Sequence, residues 1–238
     1  MTWALLPLKD LVQAKTRLSG TLAPSERRAL AQAMAEDVLS ALSGCDGLEG
    51  ILLISDDPGA DLLARKYAVE LLPEAELSVT GLNPVVEAGC DRLRARGIEA
   101  VMVVHSDLPL LTAEELDQLL RYRASRSLDL VISPDRRRDG TNIMLCELSR
   151  LPRLSYGRGS CGLHMQAAES AGSSVELLPL TGAALDVDQP ADLVDLVGML
   201  GHPALGKHTA AFLGGEEVRS RLALLAETMG GDQLEAGA

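Results

Sequence analysis

Aromatic side chains are almost missing from this 238-residue chain: Trp3, Tyr67, Tyr122, Tyr156 and Phe212 are the whole set. So few rings exclude a base-stacking platform for single-stranded nucleic acid. A positive balance is missing too. Lys and Arg number 22 against 34 Asp and Glu, a formal net charge of −12, which excludes a long basic footprint on nucleic acid. No run approaches 18 uninterrupted apolar residues, so no membrane-spanning helix is expected. The stretch from Met1 to Lys9 has no charged region ahead of its apolar run and does not read as a signal peptide. The four cysteines, Cys45, Cys90, Cys146 and Cys161, form no C-x-x-C pair. They suit buried thiols in a reducing, cytoplasmic setting better than a disulfide framework or a zinc site.

What is present is apolar sequence in short runs, 47% of the chain, enough to exclude a mostly disordered protein. Candidate strands cover residues 3–8, 50–55, 69–72, 100–105, 129–133, 142–146 and 175–180. Several are apolar throughout, the pattern of strands buried on both faces of a sheet. Helical patterns lie between them. Residues 24–42 open with a proline in the first turn and place Leu30, Met34, Val38 and Leu42 on one stripe. Residues 83–96 and 112–126 follow, the latter with Thr112 and Glu115 spaced as a capping box. This alternation predicts an α/β sheet occupying residues 1–202. Residues 203–238, rich in Gly and Ala with a weakly amphipathic stretch at 216–229, read as a C-terminal appendage, with a role in self-association left open.

Ligands of such sheets bind beyond the carboxyl ends of the strands, so the residues that end each apolar run matter most. Lys9, Lys15 and Arg17 cluster after the first strand, either as a polyphosphate clamp or as a solvated basic loop. Asp107, in H-S-D-L-P, ends the fourth run, where a carboxylate serves as a divalent-metal ligand or as a turn residue. Asp186 and Asp188 stand at i and i+2, which puts both on one side of an extended segment. With Asp107 they form a candidate metal site, against the alternative of an acidic strand end. The D-G-T-N segment (139–142) and Y-G-R-G-S-C-G-L-H (156–164) supply Thr141, Ser160 and three flexible glycines, Gly157, Gly159 and Gly162. Backbone amides there, opening a helix, suit a carboxylate or phosphate. His164 falls inside that helix, as a ligand contact or as a structural histidine. Asn83 either reads a base edge or caps a helix. Arg136, Arg137 and Arg138 make a solvated charge run or, less simply, a triphosphate grip.

Charge is not spread evenly. Residues 1–30 carry five cations and two acids, residues 121–165 nine and four, leaving −20 on the remainder. Both positive blocks coincide with candidate anion-binding segments, so the acidic total points to small anions held locally.

Taken in order, L-P-L-K with A-K-T-R-L, E-R-R-A-L-A, L-I-S-D-D, G-L-N, S-D-L-P-L, D-G-T-N, Y-G-R-G-S with His164, and L-D-V-D-Q-P-A-D-L resemble one family. It comprises the guanylyltransferases that make the coenzyme F-420 precursor, acting on 2-phospho-L-lactate or phosphoenolpyruvate. The resemblance spans about residues 3–200. It implies a single nucleotidyltransferase domain, GT-A-like, with a Rossmann-type mixed sheet flanked by helices. It further implies Asp107, Asp186 and Asp188 as holders of Mg²⁺ (Mn²⁺ substituting), and Thr141, Gly157 and Ser160 as the acceptor's carboxylate site. Lys9, Lys15 and Arg17 match the nucleotide-phosphate loop and act in catalysis, with Asn83 at a nucleotide-contacting position. The implied partners are GTP and a small phosphorylated carboxylate, without nucleic acid or membrane; a homodimer is left open. The G-x-[ST]-R-M-G loop of many other nucleotidyltransferases is absent, which counts against a sugar-phosphate or molybdopterin enzyme of the same fold. The three aspartates count against a catalytically silent nucleotide-binding subunit. Cys161 stands where the family often carries Phe, which bears on acceptor choice among phosphoenolpyruvate, 2-phospho-L-lactate and 3-phosphoglycerate.

Overall fold

Strands β4 (Ala100–Val104) and β5 (Leu130–Pro134) are buried along their whole length, as their unbroken apolar sequence requires. In the computed structural model, which describes residues 1–11, 14–222 and 225, they belong to one seven-stranded sheet with β1 (Thr2–Pro7), β2 (Gly50–Ile54), β3 (Glu70–Leu72), β6 (Thr141–Glu147) and β7 (Val175–Leu177). The order is β3-β2-β1-β4-β6-β5-β7. Every pairing is parallel except those of β6, which runs antiparallel to both β4 and β5, so the sheet is mixed.

Side chains alternate between two apolar layers. Leu6, Leu53, Val104 and Leu145 pack with Ala35, Val38 and Leu42 of helix α1 (Pro24–Ser43) and with Leu116 and Leu119 of α4 (Ala113–Arg126). Leu5, Ile54, Val103 and Met144 face the other way, onto Val86, Cys90 and Leu93 of α3 (Leu82–Ala95) and Cys161 and Ala168 of α5 (Ser160–Ser170). At Gly89 helix α3 comes so close to the sheet that a Cβ would lie 2.5 Å from Ile54 Cδ1. Thr112 caps α4 as its sequence predicts: its Oγ1 accepts the Glu115 amide at 3.3 Å, and Glu115 accepts the Thr112 amide at 3.4 Å.

Some elements differ from the sequence expectation. Helix α2 (Ala60–Tyr67), which buries Ala60, Leu63 and Ala64, is not among the expected helices. Strand β7 stops at Leu177, short of 180, because the Leu180 amide leaves the ladder and donates to Ser133 Oγ at 3.2 Å. The described part of the segment after residue 203 has a fixed place. Helix α7 (Lys207–Leu213) has its first amides capped by Asp37 of α1, at 2.9 Å from His208 and 2.8 Å from Thr209. Leu205, Leu213, Val218 and Leu222 join Leu18, Met34, Val187 and Leu193 in a third apolar cluster. Residues 216–222 are helical; the rest of the amphipathic stretch at 216–229, apart from Leu225, lies outside the described residues. The four cysteines are buried and unpaired. No helix among the described residues is long and apolar enough to cross a membrane.

The order places the sheet's switch point between β1 and β4, where the chain leaves β1 in one direction through β2 and β3 and returns on the other side. Their carboxyl ends border the crevice in which α/β sheets bind ligands.

Candidate active site

A cavity of about 710 Å³ opens at that switch point. Lys9, Lys15, Asp107 and Asp188 line its polar side, and Leu82 and Val85 of α3 line an apolar wall. Lys15 sits at its head. The residue is held in the left-handed backbone region (φ 55°, ψ 41°) before a 3-10 turn over Thr16–Leu18. Its side chain is 9% exposed. Its Nζ donates to Asp107 Oδ2 at 2.6 Å and to Asp188 Oδ1 at 2.9 Å. Burial alone would lower the Lys15 pKa, but the two carboxylates outweigh it and push it up to about 12. Burial likewise works against ionised Asp107, yet the Lys15 charge, aided by His105, holds its carboxyl below the usual range.

Asp186 is built differently. Val187, fully buried in the third cluster, turns the chain so that the flanking aspartates lie away from that core. Asp186 Oδ1 accepts from Asn142 Nδ2 at 3.3 Å, while the same amide donates to the Ala183 carbonyl at 2.8 Å. Burial and the Asp107 charge raise the Asp186 pKa. Asp188 is set by its backbone: its amide donates to Asp192 Oδ2 at 3.0 Å, and Asp192 also pairs with Arg136. Arg136 therefore ties the β5–β6 loop to helix α6 (Pro190–Gly198) through Asp192 and Asp195, rather than standing solvated.

The sequence-predicted residues divide into those that meet and those that do not. Lys15, Asp107 and Asp188 meet directly. Arg17 is 3.5 Å from Asp188 and 70% exposed; Lys9 lines the same cavity and is exposed. Among the described residues no group of three or more His, Cys, Asp or Glu side chains is gathered at ligand spacing; an ammonium, not a third carboxylate, joins Asp107 to Asp188. The donor set nevertheless fits a hard cation, because Asp107 Oδ1 is buried with no hydrogen-bond partner. Asn83 is not the helix cap. Gly81 precedes the helix, and the Asn83 carboxamide pairs with the Tyr156 backbone, accepting at 2.6 Å and donating at 3.3 Å.

Thr141, Gly157 and Ser160 do not line the cavity wall. They form a compact group behind it, at the start of β6 and of α5. Gly157 (φ 131°) and Gly159 (φ 72°) adopt backbone angles that favour glycine, which turns the chain into the helix. The Thr141 amide donates to Ser160 Oγ at 2.9 Å, and Thr141 Oγ1 lies 3.0 Å from His164 Nδ1. His164 is fully buried, structural in setting and in contact with the group at once. Cys161 is buried beside Ser160 and its thiol is pushed up by burial.

Asp57, the last residue of L-I-S-D-D, had no role assigned from the sequence. Asp57 is buried and accepts the Leu11 amide at 2.8 Å and the Gly59 amide at 2.7 Å, with Arg28 at 3.4 Å. It pins the loop that carries Lys9 and Lys15. The D-P-G turn at 57–59 was its available signal.

Comparison with known proteins gives the family and the fold. The family model for "Guanylyl transferase CofC like" proteins matches residues 2–218. The chain belongs to that family. Among its curated relatives, the phosphoenolpyruvate guanylyltransferase of Conexibacter woesei is 40% identical over 193 residues, covering 81% of this chain and 85% of the relative. The 2-phospho-L-lactate guanylyltransferase of Methanothermobacter thermautotrophicus is 34% identical, covering 82% and 84%. Solved structures share the fold of this family member at low identity. A protein of Desulfovibrio desulfuricans G20 described as a nucleotide-diphospho-sugar transferase superposes with a TM-score of 0.76 at 17% identity, covering 94% of this chain and 97% of the other. A cytidylyltransferase from Leptospira borgpetersenii gives 0.58 at 14%, covering 94% and 96%. The fold is that of a single nucleotidyltransferase domain with a mixed sheet.

Proposed function

We propose that this chain transfers GMP from GTP to a small phosphorylated carboxylic acid, with release of pyrophosphate and with phosphoenolpyruvate as the favoured acceptor. The observation that carries the reading is the Lys15 bridge. A buried lysine from the β1 loop meets carboxylates from 92 and 173 residues away at the head of a cavity, a pairing of cation and carboxylates suited to phosphoryl chemistry. The names of the relatives favour GTP as donor and a three-carbon phospho-acid as acceptor.

The reaction asks little of side-chain bases. A phosphate monoester is largely dianionic near neutral pH. One of its oxygens forms the new bond to the α-phosphorus of GTP, and the bond from that phosphorus to the β-phosphate bridging oxygen breaks. Its electron pair leaves with pyrophosphate, and no side chain has to accept a proton. Lys9, Lys15 and Arg17 serve this step by binding the phosphates and balancing charge on the departing pyrophosphate. Asp107, Asp186 and Asp188 would hold Mg²⁺, with Mn²⁺ as a substitute, which when bound supplies charge neutralisation and orientation of the phosphates. Asn142 and Asp192 orient Asp186 and Asp188 respectively. Thr141, Gly157 and Ser160 take the acceptor's carboxylate at the first turn of α5, where the helix dipole favours an anion.

The test is pyrophosphate release from GTP and Mg²⁺ with phosphoenolpyruvate, 2-phospho-L-lactate and 3-phosphoglycerate in separate reactions. Release is expected with phosphoenolpyruvate as the fastest acceptor. Release with none of the three contradicts the reading, and a faster rate with another acceptor reassigns the substrate.

A further inference from the structure

We infer that His164 is a positioning residue for the acceptor: through its tautomer it makes the Thr141 hydroxyl a donor to the acceptor's carboxylate. This rests on the placement of the carboxylate at Thr141 and Ser160 proposed above.

Hydrogen-bond directions around the ring fix where its proton sits. The Ser155 amide lies 2.8 Å from His164 Nε2 and can only donate, so Nε2 offers its lone pair. A neutral imidazole has one N–H, which therefore sits on Nδ1 and points at Thr141 Oγ1, 3.0 Å away. That oxygen accepts. The hydrogen of the Thr141 hydroxyl must then point elsewhere, and among the described residues no protein acceptor takes it. Ser160 is constrained in parallel: its Oγ accepts the Thr141 amide at 2.9 Å, which leaves its own O–H unspent. Two buried hydroxyls, 2% exposed at both residues, thus stand side by side as donors at the first turn of α5.

Such a pair selects its ligand by charge. A carboxylate brings acceptor oxygens for both hydrogens. A carboxamide brings one oxygen and an N–H₂ group, which would face a donor. Protonating the ring would set a second N–H against the Ser155 amide, so the imidazole remains neutral. Burial first, then the His105 ring nearby, holds its pKa down to about 4. Tyr156 packs edge-on against His164 at 4.9 Å and reaches His105 at 5.3 Å on its other side, which fixes the ring plane. Thr141 directly precedes Asn142, whose amide holds Asp186, on β6.

Two substitutions separate the roles of the ring nitrogens. His164→Gln keeps an acceptor near Nε2 and loses the donor at Nδ1; His164→Asn keeps a donor near Nδ1 and loses the acceptor at Nε2. With GTP and phosphoenolpyruvate as substrates, His164→Gln is expected to raise the KM for phosphoenolpyruvate about tenfold with the KM for GTP unchanged. His164→Asn is expected to stay within about threefold of the parent. Equal losses in the two variants, or losses shared by the KM for GTP, overturn the inference. A second measurement needs no variant: ¹⁵N spectra of the unsubstituted chain at neutral pH, with the His164 ring assigned through its own Cα and Cβ. A proton on Nδ1 and a bare Nε2 are expected; the opposite tautomer or a doubly protonated ring overturns the inference. If the unsubstituted chain releases no pyrophosphate with any three-carbon phospho-acid, the functional reading fails, and the spectra still decide the tautomer.

Discussion

The two sides of the proposed site, one for the nucleotide and one for the acceptor, are built on opposite principles. On the nucleotide side, Lys9, Lys15, Arg17, Asp107 and Asp188 are charged, and Arg17 and Asp188 are well exposed at 70% and 42%. The acceptor side holds Thr141, Ser160 and His164, all neutral and nearly sealed from solvent. A triphosphate carries charge that only countercharge can balance, and its partners must exchange contacts as pyrophosphate forms and leaves. A small carboxylate needs selection rather than neutralisation, and fixed donors supply it. Lys15 marks the boundary, because its ammonium is committed to the same carboxylates that a metal would need.

This contrast can be broken from either side. The largest effect is expected from Asp188→Asn, which should lower kcat by at least about 10³-fold while the circular dichroism spectrum stays unchanged; retained activity would remove Asp188 from the chemistry. Lys15→Met should lower kcat/KM for GTP by about 10²-fold. The same change should tighten Mn²⁺ binding about tenfold in titrations followed by electron paramagnetic resonance, since the ammonium that bridges Asp107 and Asp188 is gone. On the neutral side, Thr141→Val should raise the KM for phosphoenolpyruvate about tenfold and leave that for GTP unaltered.

Two smaller predictions concern stability. The His164 pKa falls from about 6.5 when unfolded to about 4 when folded, so between those values the unfolded chain binds the extra proton. Stability should therefore be complete above about pH 6.5 and decline as pH falls toward 4, with roughly 3 kcal/mol at stake from this group. Urea midpoints across that range should show the decline, and His164→Asn should flatten it. Asp37→Ala removes the cap on α7 and should cost about 1 kcal/mol without changing either KM.

How much of this was legible in the sequence varied with distance along the chain. Strand β4 announced itself, because A-V-M-V-V is apolar at every position and the strand is buried on both faces. Helix α4 was readable down to its cap, since Thr112 and Glu115 complete each other within one turn. The candidate site was readable as a set of strand ends, because the fold class fixes where ligands bind. Its internal wiring was not. Nothing around Lys15 says that its partners lie 92 and 173 residues away. Helix α7 is seven residues long and owes its start to Asp37, some 170 residues earlier, so local propensity carried no signal for it. The sequence around Asn83 gave no sign of its partner, the Tyr156 backbone, which is 73 residues distant. The tautomer of His164 depends on which neighbour is a backbone N–H, which no spacing rule reveals.

The central claim is that charge on one side and fixed neutral donors on the other divide the two substrates between them. It is tested most directly by steady-state pyrophosphate release from Lys15→Met and Thr141→Val, with GTP and phosphoenolpyruvate varied in turn. A crossed pattern is expected: Lys15→Met impairs kcat/KM for GTP and spares the phosphoenolpyruvate KM, while Thr141→Val raises that KM and spares the KM for GTP. Both variants losing both substrates equally would contradict it.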